Sequence, residues 1–559
     1  MPVLLLGPML RYADETCATV WVETDAACDV TVLGHTVSTF HVRGHHYALV
    51  RIEGLTPDSV HPYEVELDGE RVWPEPGSVF PPSVVRTTTA GNGPLHVAFG
   101  SCRVTRPHTP PYTCDPEGKG REVGVDALHA LGTRMCRQQV ELWPDTLLLL
   151  GDQVYADEVS PQTLRFIRAR RSTRKAPGEG IADFEEYCAL YQEAWSDPTV
   201  RWLLSTVPSA MIFDDHDVHD DWNTSDTWRR QKQAQPWWEE RITGALSAYW
   251  IYQHLGNMQP SHLDEDGMLA HLHTLPDGGE YLRKFALWAD AEADGRKGYR
   301  WSYARDHGRT RLLVIDSRAG RVLEQGDRQM VDEPEWQWIT EQASGELDHL
   351  VIASTLPVFL PEAVDDLEAW NEAVCDGAWG ERFRWPAEKL RQAADLEHWG
   401  AFRRSLTALV ELLAEVGSGR HGTAPASIVV LSGDVHYSYL AEVDLSGQPD
   451  MDMVSAVYQA VCSPLRNPIQ HSVQWGDRFA RTKLGGWVGR RLAASAGVPQ
   501  QRARWRISQG PWFDNGICTL TLSGRNARLT VEQTRPGDGS DPQLVTVYAG
   551  DLASAPLPG

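Results

Sequence analysis

The chain has 559 residues, 42% of them apolar and 23% charged, proportions of an ordinary globular protein that exclude a mainly disordered or coiled-coil chain. Asp and Glu number 76 against 52 Lys and Arg, a net charge of −24; binding to a phosphate backbone through charge alone is thereby excluded, and nucleic acid is expected at most as a substrate. The length predicts at least two domains, and no run approaches the roughly 18 apolar residues of a membrane span.

The N-terminus, Met1-Pro-Val-Leu-Leu-Leu-Gly-Pro8, has no basic leader and its apolar run breaks at Gly7-Pro8, so no secretion signal is expected. Residues 1 to about 90 alternate with period two, as in Ala18-Thr-Val-Trp-Val-Glu-Thr24, Ala48-Leu-Val-Arg-Ile-Glu53 and Tyr63-Glu-Val-Glu-Leu67, which predicts short antiparallel strands. Gly54 to Val65 resembles the turn and tyrosine-corner strand of an immunoglobulin- or fibronectin-like sandwich. A β-sandwich domain of about seven strands is expected over 1–90, with a linker in the polar run Thr87–Pro94.

Beyond residue 95 six apolar runs without alternation each end in a polar cluster: 97–103, 147–152, 211–216, 312–318, 351–355 and 428–436. Such runs predict strands buried on both faces. Helical patterns separate them at 125–140, 184–195, 238–255 and 389–415. A layered α/β domain is expected over 95–545, with ligands beyond the carboxyl ends of its strands. Near the C-terminus, 517–522 and 527–532 predict a hairpin that closes a sheet edge. Nine cysteines, with no Cys-x-x-Cys pair, predict free thiols and a cytoplasmic location.

The strand ends carry Cys102, then Asp152 with Tyr155, then Asp214-Asp215-His216, then Asp434-Val435-His436. Thiolate, carboxylate, phenolate and imidazole are all metal ligands, and an anionic substrate on so acidic a chain requires a local positive charge. Two cations about 3.5–4 Å apart can hold a phosphoryl oxygen and activate water.

The succession Ser-Cys-Arg, Gly-Asp-x-x-Tyr, Asp-Asp-His-Asp-Val and Ser-Gly-Asp-Val-His resembles the alkaline phosphatase D-like (PhoD-like) branch of the calcineurin-like metallophosphoesterases, over most of the chain. The resemblance implies an N-terminal sandwich before a calcineurin-like layered α/β metallophosphoesterase domain. It also implies iron and calcium as cofactors, with other divalent metals admissible: Cys102, Tyr155 and His436 on iron, Asp215 and Asp434 on the harder ion, and Asp152 bridging. Asp157, Glu158, Asp217, Asp220 and Asp221 are further calcium candidates, because Ala156 stands where some relatives carry an acid. The expected reaction is hydrolysis of a small-molecule phosphodiester or monoester by a metal-bound hydroxide. His216 is expected either to contact a phosphate oxygen or protonate the leaving group, or only to orient Asp215. Arg103 and Arg318 could grip the phosphate or serve in surface ion pairs, the better reading for Arg318, and Trp222 could wall the pocket or pack in the core.

Two other readings fit the same residues, a catalytically silent metal-braced binding protein and a dinuclear-metal amidase or lactonase. The basic run Arg165–Lys175 reads as a solvated helix end or a steering patch. His262, His271 and His273 fit neither a zinc site nor a calcium loop and read as lid or surface residues. Arg466 or Asn467 is expected to reach the cleft.

Overall fold

The alternating N-terminal segments pair into antiparallel sheets of four strands each. One joins Leu4–Ala13, Cys17–Thr24, His45–Glu53 and Phe40–Val42, and the other His35–Ser38, Asp29–Val32, Val65–Leu67 and Glu70–Trp73. Val84–Arg86 pairs with Val60–Pro62 as a third, two-stranded sheet. Ten short strands therefore stand where about seven were expected. Inward residues of both four-stranded sheets, Val20, Val30, Val50, Ile52, Val65 and Leu67 among them, share one apolar core. A computed structural model describes residues 1–89, 93–114, 123–449, 451–468, 482–537 and 541–553; residues 90–92 of the expected linker lie outside the described residues.

The Tyr63 hydroxyl donates to the carbonyl of Ser205, at the end of the helix Pro198–Thr206, instead of closing a corner within its own sheet. Fully buried Arg11 donates likewise to the carbonyls of Tyr252, Gln253 and Ser209. Apolar residues Leu6, Met9, Trp21 and Tyr47 join the core built by the helices Phe184–Trp195 and Trp238–Tyr252. The N-terminal sheets are thus packed into the rest of the molecule and not merely tethered to it.

All six apolar runs form strands, divided between two sheets. Leu95–Gly100, Thr146–Leu150 and Ser209–Ile212 lie parallel in a six-stranded sheet. Thr310–Ile315, His349–Ser354, Ser427–Ser432 and Ala456–Val461 lie parallel in a seven-stranded one. Phe99, Leu148, Leu150 and Ile212 from the first meet Val314, Val351, Val429 and Leu431 from the second in a shared core. Their alternate residues bury against helices on the outer faces, which is why the runs are apolar on every residue. Full burial of each such side chain stabilises by about 1.5–3 kcal/mol.

Two expectations need correction. The hairpin Gly516–Ser523 with Asn526–Arg535 forms, but it pairs on Leu95–Gly100 inside the sheet, and Gln543–Ala553 takes the edge. The pattern 389–415 is two helices, Glu381–Ala393 and Arg403–Gly417. Between them Asp395 turns the backbone to φ +46° and a short 3-10 turn covers Trp399–Ala401, and this interruption delivers Glu397 and His398 to the centre described next.

Candidate metal centre

The polar clusters follow the carboxyl ends of strands from both sheets, so their loops meet where the sheets abut. Cys102, Asp152, Asp434 and His436 adopt φ of +58°, +52°, +64° and +57°. Such a backbone costs an L-residue about 1–2 kcal/mol, and strain of this kind persists where the surroundings over-determine it, most often at functional sites. Gly151, at φ +89°, has no such cost, and a Cβ there would lie 2.5 Å from Cβ of Asp214. Only glycine lets these two loops nest.

Buried polar groups fix the loops. The Asp217 carboxylate accepts from the backbone N–H groups of Asp152 (2.9 Å), Asp214 (2.8 Å) and Val154 (3.3 Å), and from the Gln253 amide (3.1 Å). Burial pushes this carboxyl up to about 7 against those hydrogen bonds. Ser101 links the sheets, its hydroxyl accepting from the Asp434 N–H at 3.0 Å and lying 3.2 Å from Cys102 Sγ. Replacing Asp217 by asparagine turns a donor toward backbone donors, so a loss of about 1–3 kcal/mol in unfolding free energy is expected, measurable in denaturant, with weakened metal binding. Unchanged stability and metal content would show that Asp217 does not organise these loops.

Potential ligand atoms fall into three overlapping groups, each closing within 4.8 Å: Cys102, Asp152 and His436; Asp152, Asp215 and His216; Asp214, Asp215 and Asp434. Asp152 belongs to the first two of them and Asp215 to the last two. The Tyr155 hydroxyl is 3.2 Å from Asp152 Oδ2 and accepts from the Asn467 amide at 3.0 Å; Asn467 therefore reaches the cleft. Oδ1 of Asp152, Oδ2 of Asp214 and Nδ1 of His216 are buried without a hydrogen-bond partner. Orphaned atoms of this kind cost about 1–3 kcal/mol each. Sulfur, imidazole and phenol oxygen around Asp152 suit a softer cation and the carboxylate group of Asp214, Asp215 and Asp434 a harder one, so the donor set fits a metal centre.

The charges are uneven. Burial, with the neighbouring Asp215, Asp217 and Asp434 carboxylates, drives Asp152 well above the usual carboxylate range despite His216. Burial, then Asp152 and Asp434, pushes the Cys102 thiol up. The His216 imidazole would be depressed by burial, but Asp215, Asp152, Asp220 and Asp157 outweigh it and raise it to about 10. Cation binding at such groups displaces protons.

Three of the expected roles, those of Arg318, Arg103 and Trp222, do not match the placement of the side chains. Arg318 is fully buried and faces Asp214, Asp215 (3.2 Å), Glu397 (2.6 Å) and Asp434 (3.9 Å); it neutralises the carboxylates and has no face toward a substrate. Arg103 is buried, paired with Asp126 at 2.8 Å and bonded to the Ala194 carbonyl. Trp222 is fully buried against Phe213, a core position. Arg466 donates to the carbonyls of Gly124, Arg106 and Pro107. Of the extra calcium candidates, Asp157 is paired with Arg241 at 2.9 Å and Asp217 is committed as described, while the Asp221 N–H donates to Asp215. In the basic run Arg168, Arg170 and Arg171 pair with Glu179, Asp183 and Glu186. Sequence reasoning missed the Glu368–His398–Asp434 chain, in which Nδ1 of His398 meets Glu368 at 2.7 Å and Nε2 meets Asp434 at 3.1 Å.

A family model described as PhoD-like phosphatase matches residues 128–482, which includes every potential ligand except Cys102. A domain of unknown function (DUF7800) matches residues 1–85. Among curated proteins none matches. A solved structure titled "Structure of PhoD" superposes with TM-score 0.57 at 13% identity, covering 100% of this chain and 93% of that one. A maltogenic amylase from S. marinus covers 97% of this chain and 80% of its own at 8% identity, but its TM-score of 0.16 carries no argument.

Proposed function

The chain belongs to the PhoD-like phosphatase family, and on that premise we propose that it is a metal-dependent phosphoesterase cleaving small-molecule phosphodiesters, monoesters or both. The observation that carries the reading is the chaining of three ligand groups through Asp152 and Asp215, with Asp152 Oδ1, Asp214 Oδ2 and His216 Nδ1 buried without partners. Cys102, Tyr155 and His436 would hold iron, Asp215 and Asp434 calcium, and Asp152 both. Bound cations supply Lewis acidity toward the phosphoryl oxygens and toward water. Asp214, in the same group as Asp215 and Asp434, adds negative charge beside the harder ion, while His398 and Arg318 orient and neutralise these acids.

His216 packs its ring 4.5 Å from that of Tyr155, a position from which it would deliver a proton to the leaving oxygen. Changing His216 to alanine should lower turnover by about 10²–10⁴-fold with metal retained; loss of metal instead makes it a ligand, as its grouping with Asp152 and Asp215 also permits. Cys102→Ser should lower iron content and activity together, read by elemental analysis and rate on one sample. The phosphoesterase reading itself is tested by metal analysis combined with hydrolysis of bis(p-nitrophenyl) phosphate and p-nitrophenyl phosphate before and after chelation. Bound metal with neither ester cleaved would sink it.

We read the N-terminal sheets as an immunoglobulin/fibronectin-like sandwich occupying 1–90, supported by their common core, and 95–545 as a calcineurin-like catalytic domain, supported by its two abutting sheets between helical layers. Nine free thiols, six of them buried and apart from the ligand Cys102, suit a reducing, cytoplasmic setting.

A further inference from the structure

Outside the centre, a second group of acids closes on itself. Glu292 lies in the 3-10 turn Ala291–Asp294, and Asp332 and Glu335 stand at the start of the helix Glu333–Gln342. Their carboxylate oxygens lie within 4.8 Å of one another. Asp332 caps the helix, accepting from the Glu335 N–H at 2.9 Å, and Oε1 of Glu335 accepts from the Ser302 N–H at 3.3 Å. Among the described residues no Lys, Arg or His pairs with any of the three. Glu292 is 5% exposed and Glu335 4%, yet Oε2 of each is buried without a partner. An unpaired buried carboxylate is expensive, and here two share one space.

Two glycines outline that space. At Gly320 a Cβ would lie 3.2 Å from Oε2 of Glu335, 3.4 Å from Oε1 of Glu292 and 3.5 Å from Oδ2 of Asp316. The backbone at Gly320 is not left-handed, so conformation does not require glycine; room does. A Cβ on Gly298 would collide with Glu292, 2.2 Å from its Oε2. The group offers carboxylate oxygens, with no thiol or imidazole in it.

We propose that Glu292, Asp332 and Glu335 bind a structural calcium ion, separate from the catalytic metals, in the cradle left open by Gly320. All-oxygen donors select a hard cation. Calcium accepts an irregular set of six to eight oxygens, whereas magnesium demands near-ideal octahedral geometry and gives up its waters reluctantly, so a buried group of three carboxylates suits calcium better. Asp316 explains why a cation there matters. Its carboxylate accepts from the N–H groups of Arg318 (2.8 Å), Ala319 (3.1 Å) and Gly320 (2.8 Å), holding the turn that carries Arg318 into the catalytic centre. Calcium between that turn, the 292 segment and the helix at 333 braces all three.

The test compares the full chain with the double variant Glu292→Gln/Glu335→Gln and with Gly320→Ala, which keeps every acid and fills the cradle. Calcium stoichiometry by equilibrium dialysis should fall by one ion per chain in both variants, with iron content unchanged. The calcium-induced rise in melting temperature should shrink by a few degrees. In chelator the double variant should melt at or above the parent temperature, since two unpaired acids are gone. Equal calcium stoichiometry in parent and both variants overturns the proposal, as does an unchanged calcium-induced rise. Because the readouts are calcium count and melting temperature, the result stands or falls independently of esterase activity.

Discussion

Replacing Asp152 by asparagine should strip the centre of one or both cations and lower phosphodiester hydrolysis by about 10³-fold or more, since the loss of several kcal/mol of Lewis-acid stabilisation is a decade in rate per about 1.4 kcal/mol. Asparagine is the informative substitution. The φ of +52° at this position is one that Asn and Asp tolerate better than other side chains, so the backbone keeps its shape. The amide resembles the uncharged acid toward which burial and Asp215, Asp217 and Asp434 drive Asp152 in the cation-free protein, but it cannot take the charged form that a cation binds. The chelated variant should accordingly melt at or above the temperature of the chelated parent while binding less metal. Metal content and rate equal to the parent's would remove Asp152 from the bridging position.

That combination of improved apo-stability and lost function is what a strained ligand set predicts. Four of the proposed ligands have left-handed backbone, and three potential ligand atoms are buried without partners. A bound cation satisfies the orphaned atoms and offsets the backbone cost, so chelation should lower the melting temperature of the parent and do so less in the Asp152→Asn protein.

Much of this was legible beforehand because apolar runs of four to six residues ending in Cys, Asp or His have few alternative readings. The runs at 97, 147, 211 and 428 placed their motifs beyond strand ends, where the structure has them. Division of the six runs between two sheets was not legible, since a residue buried on both faces looks the same in either. Glu397 and His398 were lost for a different reason: a helical period running from 389 to 415 conceals the left-handed turn at Asp395 that breaks it. Arginine next to a motif invites a substrate-binding role, yet Arg103 and Arg318 are spent on Asp126 and on the ligand carboxylates. Their partners are 23 and more than 100 residues away, beyond any local pattern. The Glu292–Asp332–Glu335 group has no motif at all, its members meeting through the approach of a turn to a helix start.

The largest effect on stability is expected at Arg318. Substitution by methionine keeps the length and apolar stem but leaves Asp214, Asp215, Glu397 and Asp434 without the cation that faces them. Breaking a buried ion pair from one side costs about 3–5 kcal/mol, read as a loss of unfolding free energy in denaturant at neutral pH with chelator present. The sign with pH follows from the same contacts. Burial would raise Glu397, but Arg318 and Arg321 hold it well below the usual range; burial would likewise raise Asp434, but His398 and Arg318 hold it down. Groups depressed in the folded state contribute stability above their unfolded values, and that contribution fades as pH falls. The gap between parent and Arg318→Met should therefore be widest near pH 8 and close as pH falls toward 4, where the acids take up protons in the variant. Metal should narrow it too, because cations at Asp215 and Asp434 neutralise part of the charge that the guanidinium otherwise balances. A gap that is constant from pH 8 to 4, or indifferent to metal, would mean that Arg318 acts through packing and not through its charge.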